Sequence, residues 1–171
     1  DKEADGMAYT TFTFYEQICH GNVVPAEDFD RIADRASDFL DVITFDRLAD
    51  GLPSDERAAT KVQKAVCAVC DKLYQLELAD KQALSAAAGG TSSGGAGGVT
   101  SGVITSKSAG SESISYASPS EMANGAKAWS AVYQAAGDAQ ETNKLLADAA
   151  MLYLAGVKND DGVPLLYAGI R

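Results

Sequence analysis

PSDERAATKVQKAVCAVCDKLYQLEL, residues Pro53 to Leu78, reads as one long amphipathic helix. Its apolar residues Ala58, Val62, Ala65, Val66, Val69, Leu73 and Leu76 recur every three or four positions, which gathers them into one stripe of a 3.6-residue helix. Lys61, Lys64, Asp71, Lys72 and Gln75 fall on other sides and read as wet or shared surface. Pro53 precedes the run, and Asp55 and Glu56 suit the positive end of the helix dipole. At ~1.5 Å per residue such a helix is roughly 36 Å long, enough to span a small domain.

On its N-terminal side, VVPAEDFDRIADRASDFLDVITF (residues 23–45) predicts a second helix, with Pro25 at its first position and Phe29, Ile32, Ala33, Ala36, Leu40 and Ile43 as the buried stripe. Asp30, Asp34, Asp38 and Asp41 form its far face, and Glu27 stands four residues before Arg31 as a supporting ion pair. Tyr9 to His20 is aromatic and β-branched and fits either a short strand or a one-turn helix, with Gly21-Asn22 as the following turn. Met7 reads as the natural start and residues 1–6 as a disordered extension without function.

On the C-terminal side the composition changes sharply. Residues 83–102 (ALSAAAGGTSSGGAGGVTSG) contain almost nothing to bury and read as a Gly/Ser-rich flexible loop. Residues 103–117 alternate around Ala109-Gly110 and predict a β-hairpin, whose Ile104, Ile114 and Tyr116 are expected to lean on a neighbouring copy because an isolated ribbon is marginal. Ser118-Pro119-Ser120-Glu121 spells a helix start, followed by a stripe of Met122, Ala126, Trp129, Tyr133 and Ala136 and an interruption at Gly137. A last helix is predicted from Ala139 to Leu154, with Leu145, Ala149 and Leu152 on one side and Met151 and Leu154 nearly opposite; burial is expected on both sides, with Met151 and Leu154 as a subunit contact. After a turn at Asn159–Gly162, the apolar segment behind Pro164 needs a groove elsewhere.

These elements give a mainly α fold class: a small helical bundle of residues 7–82 and 119–157, one β-hairpin at 103–117, and an extended C-terminal arm at 158–171. Apolar residues reach 46%, but much of that is alanine, so burial per residue is modest and partner surfaces are expected to supply the remainder. Fourteen basic against 24 acidic side chains leave a net charge of -10, which argues against a surface that grips nucleic acid. No run of about 20 apolar residues is available to cross a bilayer, and no membrane association is expected. Three cysteines, an odd number, supply no disulfide framework.

No grouping reads as an enzyme centre, and no cofactor is expected. Cys67 and Cys70 with Cys19 and His20 match the ligand count of a zinc site, but a mid-helix position suits packing cysteines better. His20, the single histidine, lies beside Cys19, an adjacency that does not give a base and a nucleophile facing geometry. The glycines between Gly89 and Gly98 lack the Gly-Lys-Ser/Thr closure of a phosphate loop. The aspartate row on the second helix lacks the loop spacing of a calcium site and reads as a solvated face.

Three segments taken together, TFTFYEQICHGNVVPAEDFDRIADRASDFLDVITFDRL, KVQKAVCAVCDKLY and the ending GVPLLYAGIR, resemble the head-to-tail connector (adaptor) proteins of tailed bacteriophages and prophages. The resemblance spans about Thr10 to Arg171, apart from the Gly/Ser stretch. It implies a structural virion protein of the neck that assembles, in the host cytoplasm, into a ring of about twelve copies below the portal. The ring would extend the channel through which DNA passes without sequence-specific binding, and would offer a platform to a downstream neck or tail protein. It further implies that Val163, Pro164, Leu165, Leu166, Tyr167, Gly169, Ile170 and Arg171 form an arm that docks on the portal protein. Two other readings stand beside it: a neck stopper or tail-completion protein, and a small metal or redox protein using Cys19, Cys67 and Cys70.

Overall fold

A computed structural model describes residues 8–88, 104–108, 113–116 and 130–166. It is mainly helical, with α1 at Phe12–Gln17, α2 at Ala26–Thr44, α3 at Glu56–Ala88, α4 at Ala131–Ala135 and α5 at Ala139–Leu154. Strands β1 (Ile104–Ser108) and β2 (Ser113–Tyr116) pair antiparallel, Ile104 opposite Tyr116, with an irregularity between Ile104 and Ser106. Residues 109–112 and the side chains of both strands lie outside the described residues, as do Met122, Ala126 and Trp129.

α3 is the hub, packing against α2, α4 and α5. Val62, Ala65, Val66, Val69, Leu73 and Leu76 are buried as their spacing predicts, and Cys67 and Cys70 are buried with them. The Asp55 carboxylate accepts from the Ala58 amide and satisfies one of the open donors at the helix start. The helix is longer than expected, 33 residues and so about 50 Å, because it runs through Ala83 to Ala88 before the glycines begin. Alanine is the strongest helix former, and a segment with nothing to bury still continues a helix already nucleated.

α2 lies where its stripe places it: Phe29, Ile32, Ala33, Ala36 and Leu40 are fully buried. Pro25 is the N-cap rather than the first helical residue, and α2 stops as Phe45 turns left-handed (φ 58°), its amide donating to the Asp41 and Val42 carbonyls. Asp46 follows with φ 56°, so two non-glycine residues hold a conformation that side chains disfavour.

Of the two options for Tyr9–His20, the chain takes the short helix. Thr11 caps it by accepting from the Phe14 amide, and the buried Tyr15 ring packs 5.0 Å from that of Phe29 between centroids. Gly21 passes so near this ring that a Cβ there would fall 2.1 Å from Tyr15 Cε2, which restricts the position to glycine.

α5 is turned from its expected setting. Leu146, Ala150 and Leu154 face the core and Leu152 is 76% exposed, so Leu154 is a core residue rather than a subunit contact, and burial on both sides is not seen within one chain. Apolar groups surround α5, and what selects the buried face is continuity with Val157 and Leu165, which join the same core. Gly137 (φ 85°) separates α4 from α5 as expected, and Asp138 caps α5 by accepting from the Gln140 and Glu141 amides.

The predicted extended arm is a second correction, since residues 157–166 double back on their own domain. Lys158 and Pro164 form an antiparallel bridge, Gly162 (φ 78°) makes the turn, and the Leu165 amide donates to the Val157 carbonyl at 2.9 Å. Leu165 is fully buried, and its carbonyl accepts from Arg47 Nη1 at 3.0 Å. A single apolar side chain finds its groove within the chain. Tyr167 to Arg171 lie outside the described residues.

Candidate interaction surfaces

Two phenols, the buried Tyr15 and the half-buried Tyr9, organise the N-terminal face. The Tyr15 hydroxyl donates to Asp71 Oδ1 at 2.5 Å and accepts from the Val23 and Val24 amides at 3.0 and 3.1 Å, tying α1, the loop before α2 and α3 at one atom. Desolvation first, and then the bond to Asp71, pushes this phenol up to about 12. Of the wet or shared surface that periodicity assigns to Asp71, the structure takes the shared option: the residue is half-buried, and burial raises its carboxyl while the Tyr15 bond pulls it back down. Tyr9 repeats the device, donating to Asp41 Oδ1 at 2.6 Å and to the Leu48 carbonyl at 3.0 Å, with its own amide bound to Ser37 Oγ. Sequence reading missed both links; the signal available was an acidic residue on a helix flank next to a segment rich in tyrosine and phenylalanine.

Cys67 and Cys70 are packed in the core, and Cys19 is half-buried beside Cys67. Burial raises all three thiols, Cys70 to about 12, which disfavours the thiolates that bind metal or attack disulfides. Among the described residues no group of three or more His, Cys, Asp or Glu is placed to hold a metal ion. His20 is exposed with φ 54°.

Among the described residues, ion pairs are confined to one seam. Arg31 donates to both oxygens of Glu77 (2.8 and 3.0 Å) and to Asp28 rather than to Glu27, and Arg35 also reaches Glu77, which clips α2 to α3. The two cations hold the Glu77 carboxyl below its ordinary range, chiefly through the Arg31 hydrogen bond. At the other end of α3, Asp160 Oδ1 and Oδ2 accept from the Ser54 amide and hydroxyl at 2.8 and 2.7 Å, fastening the 159–162 turn to the helix entrance.

Apolar side chains remain outside. Val42 is 71% exposed, Phe45 55%, Leu84 70%, Met151 43% and Leu152 76%. The Arg47 guanidinium lies 5.4 Å from the centroid of the exposed Phe45 ring. Of the expected contact residues, Met151 is therefore on the surface and Leu154 in the core, while the side chains of Ile104, Ile114 and Tyr116 lie outside the described residues. Of the expected arm, Leu165 is core, Val163 and Leu166 are half-buried and Pro164 is exposed. Two open clefts flank Arg57 and Lys61; one, about 380 Å³, is lined by Glu56, Arg57, Thr60, Lys61 and Lys64 and has no histidine or cysteine. No described helix is long and apolar enough to cross a membrane. No protein-family model matches the chain, and no curated protein or solved structure matches it.

Proposed function

We propose that this chain is a structural virion protein, a head-to-tail connector that forms a ring below the portal and joins capsid to tail. The observation that carries the reading is the set of large apolar side chains left outside a closed helical bundle, Val42, Phe45, Leu84, Met151 and Leu152, which a protein built into an assembly would cover. The sequence resemblance supplies the identity of the assembly. In this reading the portal contact shrinks from the whole 158–171 segment to Leu166 and the residues after it, since Leu165 is committed to the core. The hairpin strands serve as a contact between copies, and the chain's net charge of -10 gives the channel a wall that repels phosphate, so that DNA slides through it.

Removal of Tyr167–Arg171 tests the portal contact and keeps every core residue described above, Leu165 included. Portal rings mixed with the full chain should bind it in a pull-down, and the shortened chain should keep its helical circular dichroism but lose most of that binding. Undiminished binding would sink the arm assignment, and a full chain that ignores the portal would sink the connector reading. A neck stopper would bind the downstream face of the adaptor ring instead, which the same assay separates.

A further inference from the structure

Besides Arg31 and Arg35, which are engaged by Asp28 and Glu77, the outward side of α2 carries two features. Asp30, Asp34 and Asp38 are exposed at intervals of four residues, one helical turn each, and beyond them Val42 and Phe45 stand 71% and 55% exposed. α3 carries a row of the opposite sign. Arg57, Lys61 and Lys64 follow at four and three residues, and at about 100° per residue they lie across the helix from the core stripe Val62, Val66, Val69 and Leu73. None of these three cations makes an ion pair among the described residues; every such pair involves Arg31 or Arg35. Arg57 is exposed and Lys61 and Lys64 are half-buried, and one chain cannot bring its two rows together, because each lies away from the core side of its own helix.

Beside the basic row is an open cleft of about 350 Å³ between the start of α3 and the 156–162 turn, lined by Arg57, Ala58, Lys61, Val157 and Lys158 among others. The two acids at its rim are already engaged, Asp55 by the Ala58 amide and Asp160 by Ser54. In a chain of net charge -10, this is where an acidic helix face meets attraction.

We infer that a second copy of this chain covers the surface: the Asp30–Asp34–Asp38 flank of α2 in one copy lies on the Arg57–Lys61–Lys64 ridge of the next, with Phe45 against the cleft. Exposed ion pairs are individually weak, so the charges set register and orientation while the two apolar side chains supply the burial. The two patches differ, so the contact is head to tail, and such a contact closes into a ring or continues as a filament. The inference rests on the connector reading for its context and names the surface on which copies would meet.

Sedimentation velocity of the full chain at low and at physiological salt tests it, with the doubly reversed variants Asp34→Lys/Asp38→Lys and Arg57→Glu/Lys61→Glu. Wild type should self-associate more strongly at low salt; each variant alone should lose at least tenfold in association, and an equimolar mixture of the two should regain it. Circular dichroism checks that both fold, and Asp34→Asn/Asp38→Asn should give an intermediate loss should the lysine variant not fold. Association that ignores both reversals, reversals that a mixture fails to rescue, or a wild type that stays monomeric at low salt would each overturn this interface. Portal binding measured separately decides the connector reading, so a chain that binds the portal yet fails here loses only the interface.

Discussion

The two ends of the described chain are fastened to the helical core by opposite chemistry. At the N-terminal end Tyr9 and Tyr15 reach aspartates on α2 and α3 through phenolic hydrogen bonds, so position is set by directional contacts at single atoms. At the C-terminal end Leu165 is a plug without a polar group, held by the Val157 and Arg47 bonds to its backbone. The difference teaches where each end gives way: the first depends on protonation and on the shape of one loop, the second on volume. Leu165→Ala therefore has the largest expected effect. Removing a fully buried leucine costs about 2–5 kcal/mol, read as a lower urea midpoint with unchanged slope. A loss below about 1 kcal/mol would return the segment to the status of an arm.

Tyr15→Phe probes the opposite end and should be smaller, about 1–3 kcal/mol near neutral pH, because it leaves the Val23 and Val24 amides and a half-buried Asp71 carboxylate without their partner. Its pH dependence has a definite sign. Burial raises the folded Asp71 carboxyl above its unfolded value, so its contribution is most favourable in acid and is lost as pH rises through the raised value. The Tyr15 bond opposes that rise. Deleting it moves the carboxyl further up, and the penalty relative to wild type should be greatest at neutral pH and shrink in acid to the part owed to the two amides. A penalty constant with pH would mean that Asp71 is not the partner that matters.

What was legible in the sequence follows from the same contrast. The stripes of α2 and α3 were readable because each has one dense apolar face, and period alone then fixes which side is core. α5 has apolar residues on several sides, so period could not choose between Leu152 and Leu154; the choice depends on Val157 and Leu165, which approach only after the chain turns. The last turns of α3 are not legible from apolar pattern, because Ala83–Ala88 has little to bury and continues the helix by propensity alone. Of the candidate surfaces, the aspartate row was visible, whereas the roles of Asp71, Gly21 and Glu77 depend on neighbours distant in sequence.

The charged seam between α2 and α3 sharpens the comparison from a third position, since it is directional yet exposed. Glu77→Gln removes the shared acceptor of Arg31 and Arg35 and should cost less than about 1 kcal/mol, as surface pairs do. Because the folded Glu77 carboxyl is depressed, its contribution is present above the ordinary glutamate range and is lost as pH falls through the folded value. That is the reverse of the Asp71 trend. In 1 M salt, where screening extends only about 3 Å, the difference from wild type should nearly vanish. A loss that survives salt would move this seam into the class of the buried tyrosine contacts.

Leu152→Ser should have the smallest effect on folding and is the most telling about use. Leu152 is 76% exposed, so its truncation should change stability by no more than about 0.5 kcal/mol, in contrast to Leu154 two residues away, which is fully buried and should cost several times as much as alanine. Assembly is the second readout. If α5 meets another protein through Met151 and Leu152, the variant folds normally but incorporates into particles or portal complexes less well, and the lost burial appears as a weaker complex rather than a weaker monomer. If incorporation and stability are both untouched, the exposed apolar groups of α5 are ordinary surface, and the case for covered faces contracts to the end of α2, where Val42 and Phe45 stand.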